Sequence, residues 1–221
     1  MALNLGQQIS TPAQPNLGSP APIYDQGFFG TSFGGLNVYF AKLTAIFSAL
    51  FGQRGGKWIN NPYGAFQDGT DQTAGNTTTA YAITFDTTDY SNGITLSNSS
   101  RLNVAQAGIY NIQFSVQLEN STNDTQDIDI WFRKNGTDVA KSNSVFGLPA
   151  RKSSGDPSHS VATLNFFISL SSNDYIQIMW RTSNVGVTIQ QYAAGTSPTR
   201  PITPSVIATV SFVSNLSTET A

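Results

Sequence analysis

From residue 79 onward, large apolar side chains recur at every second position, and this period-two alternation constrains the fold more than any other feature of the chain. In 108–119, Tyr110, Ile112, Phe114, Val116 and Leu118 face one way. Asn111, Gln113, Ser115, Gln117 and Glu119 face the other. In 126–134, Ile128, Ile130 and Phe132 alternate with Asp127, Asp129, Trp131 and Arg133. Similar runs cover 79–86, 160–170, 174–182 and 205–213, and a short strand is expected at 185–191. Turn formers separate them: Asn92-Gly93, Asn135-Gly136 and Ser171-Ser172-Asn173. A strand with one apolar face must lay it against another sheet. Many short antiparallel strands therefore predict a mainly β sandwich or barrel. Roughly 150 residues are enough to bury a real core.

The period is helical earlier in the chain. Residues 36–51 read LNVYFAKLTAIFSALF, with Leu36, Tyr39, Leu43, Ile46 and Leu50 at heptad a and d spacing. Val38, Phe40, Phe47 and Phe51 widen that stripe, so the helix must bury itself against its own sandwich, sister copies or a partner. Gly52, Gly55 and Gly56 are expected to end it. Before it, 1–35 is rich in Gly, Pro, Gln, Asn and Ser, yet carries Ile23, Tyr24, Phe28, Phe29 and Phe33. Three segments follow: an extended docking arm over 1–35, an apolar helix and linker over 36–62 serving anchorage or trimerisation, and a β domain over 63–221.

Charged residues make up only 11% of the chain, against about 25% in typical soluble proteins, and the net charge is −2. Such a surface suits packing beside many copies, because mutual repulsion is small. Basic residues are scattered, the densest group being Arg151-Lys152, so nucleic acid is not an expected partner. The apolar run at 36–51 contains Lys42 and is shorter than the ~20 residues a bilayer span needs, so no membrane insertion is expected. There are no cysteines, and the N-terminus lacks the charged start of a signal peptide. The expectation is a protein made in a reducing cytoplasm and used outside it.

Little in the chain promises chemistry. The one histidine, His159, lies between Ser158 and Ser160 without a nucleophile elbow and reads as a solvated loop residue. Asp127 and Asp129 share a strand face, with Asp124 in the loop before them. These three are calcium candidates, but the further oxygen ligands calcium wants cannot be located and Arg133 balances the face, so no metal is assigned. Nothing specifies the carboxylate pair of a glycosidase. No catalytic residue and no cofactor are expected, and the protein is read as a non-enzyme.

Three motifs carry a resemblance. Ala107-Gly108-Ile109-Tyr110-Asn111-Ile112 resembles the GxYxF strand of the tumour-necrosis-factor and complement-globular-head superfamily. Arg133-Lys134-Asn135-Gly136 is similar to its "kNG" hairpin. Leu170–Ile176 is similar to its "LxxGDxV" corner, with Asn173 at the usual glycine. Tyr63–Ala74 and Ile130–Gly136 resemble the jelly-roll modules of tailed-bacteriophage structural proteins. The resemblance implies a ten-stranded antiparallel jelly roll that assembles as a homotrimer on a virion, as a fibre, spike or head-decoration subunit. The arm and helix (1–62) would then anchor it to other virion structural proteins.

Site expectations follow. The trimer interface would use Leu36, Tyr39, Leu43, Ile46 and Leu50, with Trp131 an aromatic anchor on an otherwise polar strand face. Strand parity sends the long connections at 119–126, 147–159 and 183–204 to one end, and the tight turns to the other. The family comparison puts both chain termini at the tight-turn end. The long loops would then meet a host receptor or glycan, with Arg151, Lys152, Tyr192 and Arg200 as contacts. The alternative reading is a carbohydrate-binding, or less readily carbohydrate-cleaving, β-sandwich module. A secreted cytokine-like ligand is disfavoured by the missing signal peptide and cysteines.

Overall fold

The computed structural model describes Ala13, the helix Gln26–Phe51 and residues 61–214. The remainder of the arm before Gln26, the linker with Gly52, Gly55 and Gly56, and the last seven residues lie outside the described residues. The chain divides into two compact units, Met1–Asn60 and Asn61–Ala221.

In the first unit, α1 runs from Gln26 to Phe51, ten residues longer at its start than the heptad stripe predicts. The stretch 26–35 is therefore helix and not extended arm. Its glycines each cost roughly 1 kcal/mol in a helix. Against that cost, no proline interrupts 26–51, and Phe29 stacks one turn before Phe33 with ring centres 6.3 Å apart.

The second unit holds the strands β1 (Tyr63–Asp68), β2 (Gln72–Thr73), β3 (Tyr81–Ala82), β4 (Thr87–Asn92), β5 (Ile94–Ser97), β6 (Arg101–Val104), β7 (Gly108–Asn120) and β8 (Gln126–Lys134). They continue with β9 (Thr137–Asp138), β10 (Ser144–Leu148), β11 (Ser158–Leu170), β12 (Tyr175–Thr182), β13 (Val187–Ile189), β14 (Gly195–Thr196), β15 (Thr199–Arg200) and β16 (Val206–Ser214). Two antiparallel sheets form a sandwich. In the first, β11 lies along one whole edge of β7, from Ser158 opposite Asn120 to Leu170 opposite Gly108. β16 and β13 share the other edge end to end, and β1 and β4 extend the sheet beyond β16. The second sheet has the order β10-β8-β12-β6-β5, with β3 and β9 as short additions.

The alternating residues meet between the sheets. Tyr110, Ile112, Val116, Ile128, Ile130, Phe132, Ile176, Ile178 and Trp180 are all buried. Phe132 of the second sheet packs against Phe114 and Phe166 of the first, with ring centres 6.0 and 5.1 Å apart. In 79–86 only Tyr81–Ala82 is strand, but Ile83 and Phe85 are still buried. Their N–H groups donate to Ile178 and Ser99 carbonyls, so burial keeps the period where the ladder lapses.

Three turn signals have distinct outcomes. Asn135 and Gly136, with φ of 48° and 83°, make the tight turn that the Asn-Gly pair predicts, between β8 and β9. Asn173 takes φ 68°, the left-handed conformation that asparagine tolerates. Asn92-Gly93 does not close a hairpin. Gly93, at φ 67°, is the corner where the chain leaves β4 in the first sheet for β5 in the second.

Candidate functional site

The Asn120 end of β7 gathers the connections 121–125, 149–157, 183–186 and 190–205. Asn120 is fully buried and acts as their hub. Its Nδ2 donates to the Asp124 and Pro149 carbonyls at 2.9 and 2.8 Å, and its Oδ1 accepts from the N–H and hydroxyl of Thr122. The Ser121 N–H donates to Gly186, and the Arg151 N–H donates to Thr122. The opposite end holds the tight turns. There the Pro62 carbonyl accepts from Phe212 N–H, so the sandwich's first and last strands start and finish at that end.

The four expected contact residues differ in what surrounds them. Lys152 is exposed, 3.6 Å from Asp156. Arg151 is half-buried, with Nη1 3.5 Å from the Ser121 carbonyl. Arg200 is exposed on the β14–β15 hairpin opposite Gly195 and shares no hydrogen bond with the other three among the described residues. Tyr192 is half-buried rather than displayed. Its hydroxyl lies 2.7 Å from His159 Nδ1 and donates to Glu119 Oε2 at 3.4 Å. Burial, aided by Glu119 and Asp71, pushes the phenol up to about 12. His159 is not in a loop. It is the second residue of β11, directly opposite Glu119, with its ring edge-on to Tyr192 at 5.3 Å.

Of the three acidic residues, Asp129 already has partners of its own. Asp129 is bound to Arg181, with Oδ2 2.7 Å from Nη2 and 3.2 Å from Nε, and its Oδ1 accepts from Asn143 Nδ2. Burial alone would raise this carboxyl, but those hydrogen bonds and the Arg181 charge outweigh it and hold it below the usual carboxylate range. Among the described residues no three His, Asp or Glu side chains are arranged to hold a metal ion.

Trp131 lies on the outer face of the second sheet, as its parity requires, but not as a bare anchor. The ring is half-buried, and Nε1 donates to Asp138 Oδ1 at 2.9 Å. Asp138 also accepts from Arg133 Nε at 2.6 Å. Trp131 and Asp138, together with Asp129, Lys141, Asn143 and Arg181, line an open depression of about 380 Å³.

Sequence reading missed the outer face of the first sheet. Asn111, Gln113, Ser115 and Gln117 of β7 lie beside Val161, Thr163, Asn165 and Phe167 of β11 and Ile207 and Thr209 of β16. Phe167 is 57% exposed, Val161 55% and Ile207 43%. Asn111 Oδ1 is buried there and accepts no hydrogen bond among the described residues. The sequence did carry a signal. Phe166-Phe167-Ile168 and Val206-Ile207-Ala208 break the alternation by placing an apolar residue at an outward position.

On α1, Leu36, Tyr39, Leu43 and Ile46 are half-buried, while Phe33, Val38 and Phe40 are exposed. The Leu50 side chain lies outside the described ones. Among the described residues no helix is long and apolar enough to cross a membrane. No protein-family model and no curated protein matches the chain.

Proposed function

We propose that the chain is a structural subunit of a tailed-phage particle: a homotrimer joined to other virion proteins by its N-terminal segment, with the sandwich serving host-surface attachment or particle stabilisation. The observation that carries this reading is the outer face of the first sheet. Around Phe167, Val161 and Ile207 the neighbouring outward positions of β7, β11 and β16 hold amides and hydroxyls, and Glu119 and His159 stand at the loop end. Like copies can close on such a face without charge repulsion, and a neighbour's donor would satisfy Asn111 Oδ1. This makes the first sheet a better seam than Trp131, whose surroundings are charged and whose indole N–H is already used. The exposed Phe33, Val38 and Phe40 of α1 equally call for cover by other subunits.

The strand order supports the finer family reading. Along the chain the long strands alternate between the sheets: β7, β11 and β16 in the first, β8 and β12 in the second. This is the winding of a double-sheet jelly roll. Receptor contact falls to the loop end, where Arg151, Lys152 and Arg200 offer charge and Tyr192 holds the loop beneath them. Threefold display would multiply a weak single-site affinity by about 10² or more.

Light scattering tests the assembly. The expected mass is three times the 23.7 kDa of the chain, and Phe167→Asp should lower it to the monomer. A stable monomer at micromolar concentration refutes the trimer. Immunogold labelling of purified particles with antibody to residues 63–213 tests the virion assignment, and unlabelled particles refute it.

A further inference from the structure

The depression on the outer face of the second sheet has the makings of a small-molecule site, and its chemistry names the ligand class. Its size falls within the ~300–1,000 Å³ of typical ligand pockets. Trp131 is fixed by its hydrogen bond to Asp138, so ligand binding need not order the ring. Asp129 is held between Arg181 and Asn143, which fixes the planes of all three groups. The loop 139–143 that brings in Lys141 and Asn143 is tied down by buried Ser142. Its Oγ accepts from Phe132 N–H at 3.0 Å and donates to the Val139 carbonyl at 2.8 Å. Lys141 sits in that loop at φ 63°, a conformation uncommon for a side chain without special tolerance of it.

What is left unused points to hydroxyl groups. Each carboxylate has about four acceptor positions. Asp129 and Asp138 each keep some free, Asn143 Oδ1 accepts nothing within the described residues, and Arg181 Nη1 donates to nothing there. Acceptors and donors thus stand side by side, matching groups that both give and take hydrogen bonds. Asp129 is paired with Arg181 and Asp138 with Arg133, so these ion pairs are neutral and favour neither an anion nor a cation. The electron-rich face of an indole attracts weakly positive C–H bonds. A ring with C–H groups on one face and hydroxyls around its rim meets all three conditions.

We infer that this depression binds a neutral pyranose sugar, which rests on Trp131 and hydrogen-bonds through its hydroxyls to Asp129, Asn143 and Arg181. The inference concerns the isolated chain and stands or falls apart from the virion assignment. It is also separate from the loop-end contacts, since none of these residues belongs to 119–126, 149–157 or 183–204.

The full chain labelled with fluorotryptophan gives three resonances, for Trp58, Trp131 and Trp180. That of Trp131 is identified by its loss in Trp131→Phe. Methyl glycosides of glucose, galactose, mannose and N-acetylglucosamine are titrated to about 50 mM, well above a Kd near 1 mM. The expected result is a saturable shift of Trp131 with at least one glycoside, weakened about tenfold or more by Asp129→Asn and by Asn143→Ala. No saturable shift of Trp131 with any of the four overturns the site. So does a shift that both variants leave unchanged. If Trp131→Phe does not fold, the resonance that moves in Asn143→Ala without sugar marks Trp131, and the same criteria apply. Light scattering of Trp131→Ala separates the rival role: loss of the wild-type mass makes Trp131 an interface anchor and overturns the sugar site.

Discussion

Gly108 explains in physical terms why a glycine stands two residues before Tyr110. A Cβ at this position would run into the ring of Phe212 and come within 2.9 Å of the Ser214 carbonyl. Phe212 in turn packs edge-on against Tyr110 at 5.6 Å, and the Tyr110 hydroxyl donates to the Gln106 carbonyl at 2.8 Å. Gly108→Ala should therefore overpack this corner and cost about 1–3 kcal/mol, read as a lower urea midpoint with unchanged slope. Titration gives a second prediction at this scale. Burial pushes the phenols of Tyr110 and Tyr192 from 10.0 up to about 12. The folded state favours their neutral forms. Their contribution is fully present below pH 10 and is lost as pH rises toward 12. Tyr192→Phe should remove one late-titrating phenol from the phenolate absorbance curve and soften the alkaline loss of stability. The acid limb has the opposite sign. Asp129 and Asp174 are held below the usual carboxylate range: burial would raise each, but Arg181 and Asn143, and Lys134 with Asn135, outweigh it. Their stabilisation is present above about pH 4 and is lost as pH falls through the lower folded values.

At the scale of elements, one buried side chain holds the loop end together. Asn120→Ala removes both donors to Asp124 and Pro149 and the acceptor for Thr122, leaving buried partners unmet. The expected loss is about 2–3 kcal/mol, together with faster amide exchange in 121–125 and 149–157. Strand β7 itself was legible because every second residue from Tyr110 to Leu118 is large and apolar. The same holds for β8, β11, β12 and β16, and their parity also foretold the shared end of the long connections. Strands β4 and β10 were not legible. Thr87–Asn92 has no apolar alternation, and its residues are held by backbone pairing to β1. Ser144–Leu148 is an edge strand with Val145 outward, so its pattern offers no clean face. His159 was misread because small polar neighbours look like a loop, while the structure pairs all of 158–160 against β7. The depression at Trp131 was hidden for another reason. It joins β8 to Asn143 and Arg181, residues whose meeting depends on sheet order rather than on any local pattern.

At the scale of the whole molecule, the division at Asn60 and Asn61 separates two kinds of apolar surface. Every residue of the sandwich core, from Phe66 to Val210, lies in the second unit. Its closing contacts also lie there: Pro62 accepts from Phe212, and Asn61 accepts from Asn92. The large apolar side chains of α1 belong to the first unit. The sandwich thus carries a core supplied by its own strands and connections. A chain beginning at Asn61 should therefore fold, and its Tm should stay within about 2–4 °C of the full chain, the shift that 1 kcal/mol produces in a domain of this size. It should keep the trimer mass, because the first sheet's outer face is intact. It should fail to join particles when supplied in place of the full chain, because Phe33, Val38 and Phe40 are gone. Calorimetry, light scattering and particle sedimentation read the three outcomes separately. Aggregation of the shortened chain would mean that the N-terminal unit completes the fold. A folded monomer would move the trimer seam from the first sheet to the helix. A folded trimer that still sediments with particles would transfer the anchor to the sandwich itself.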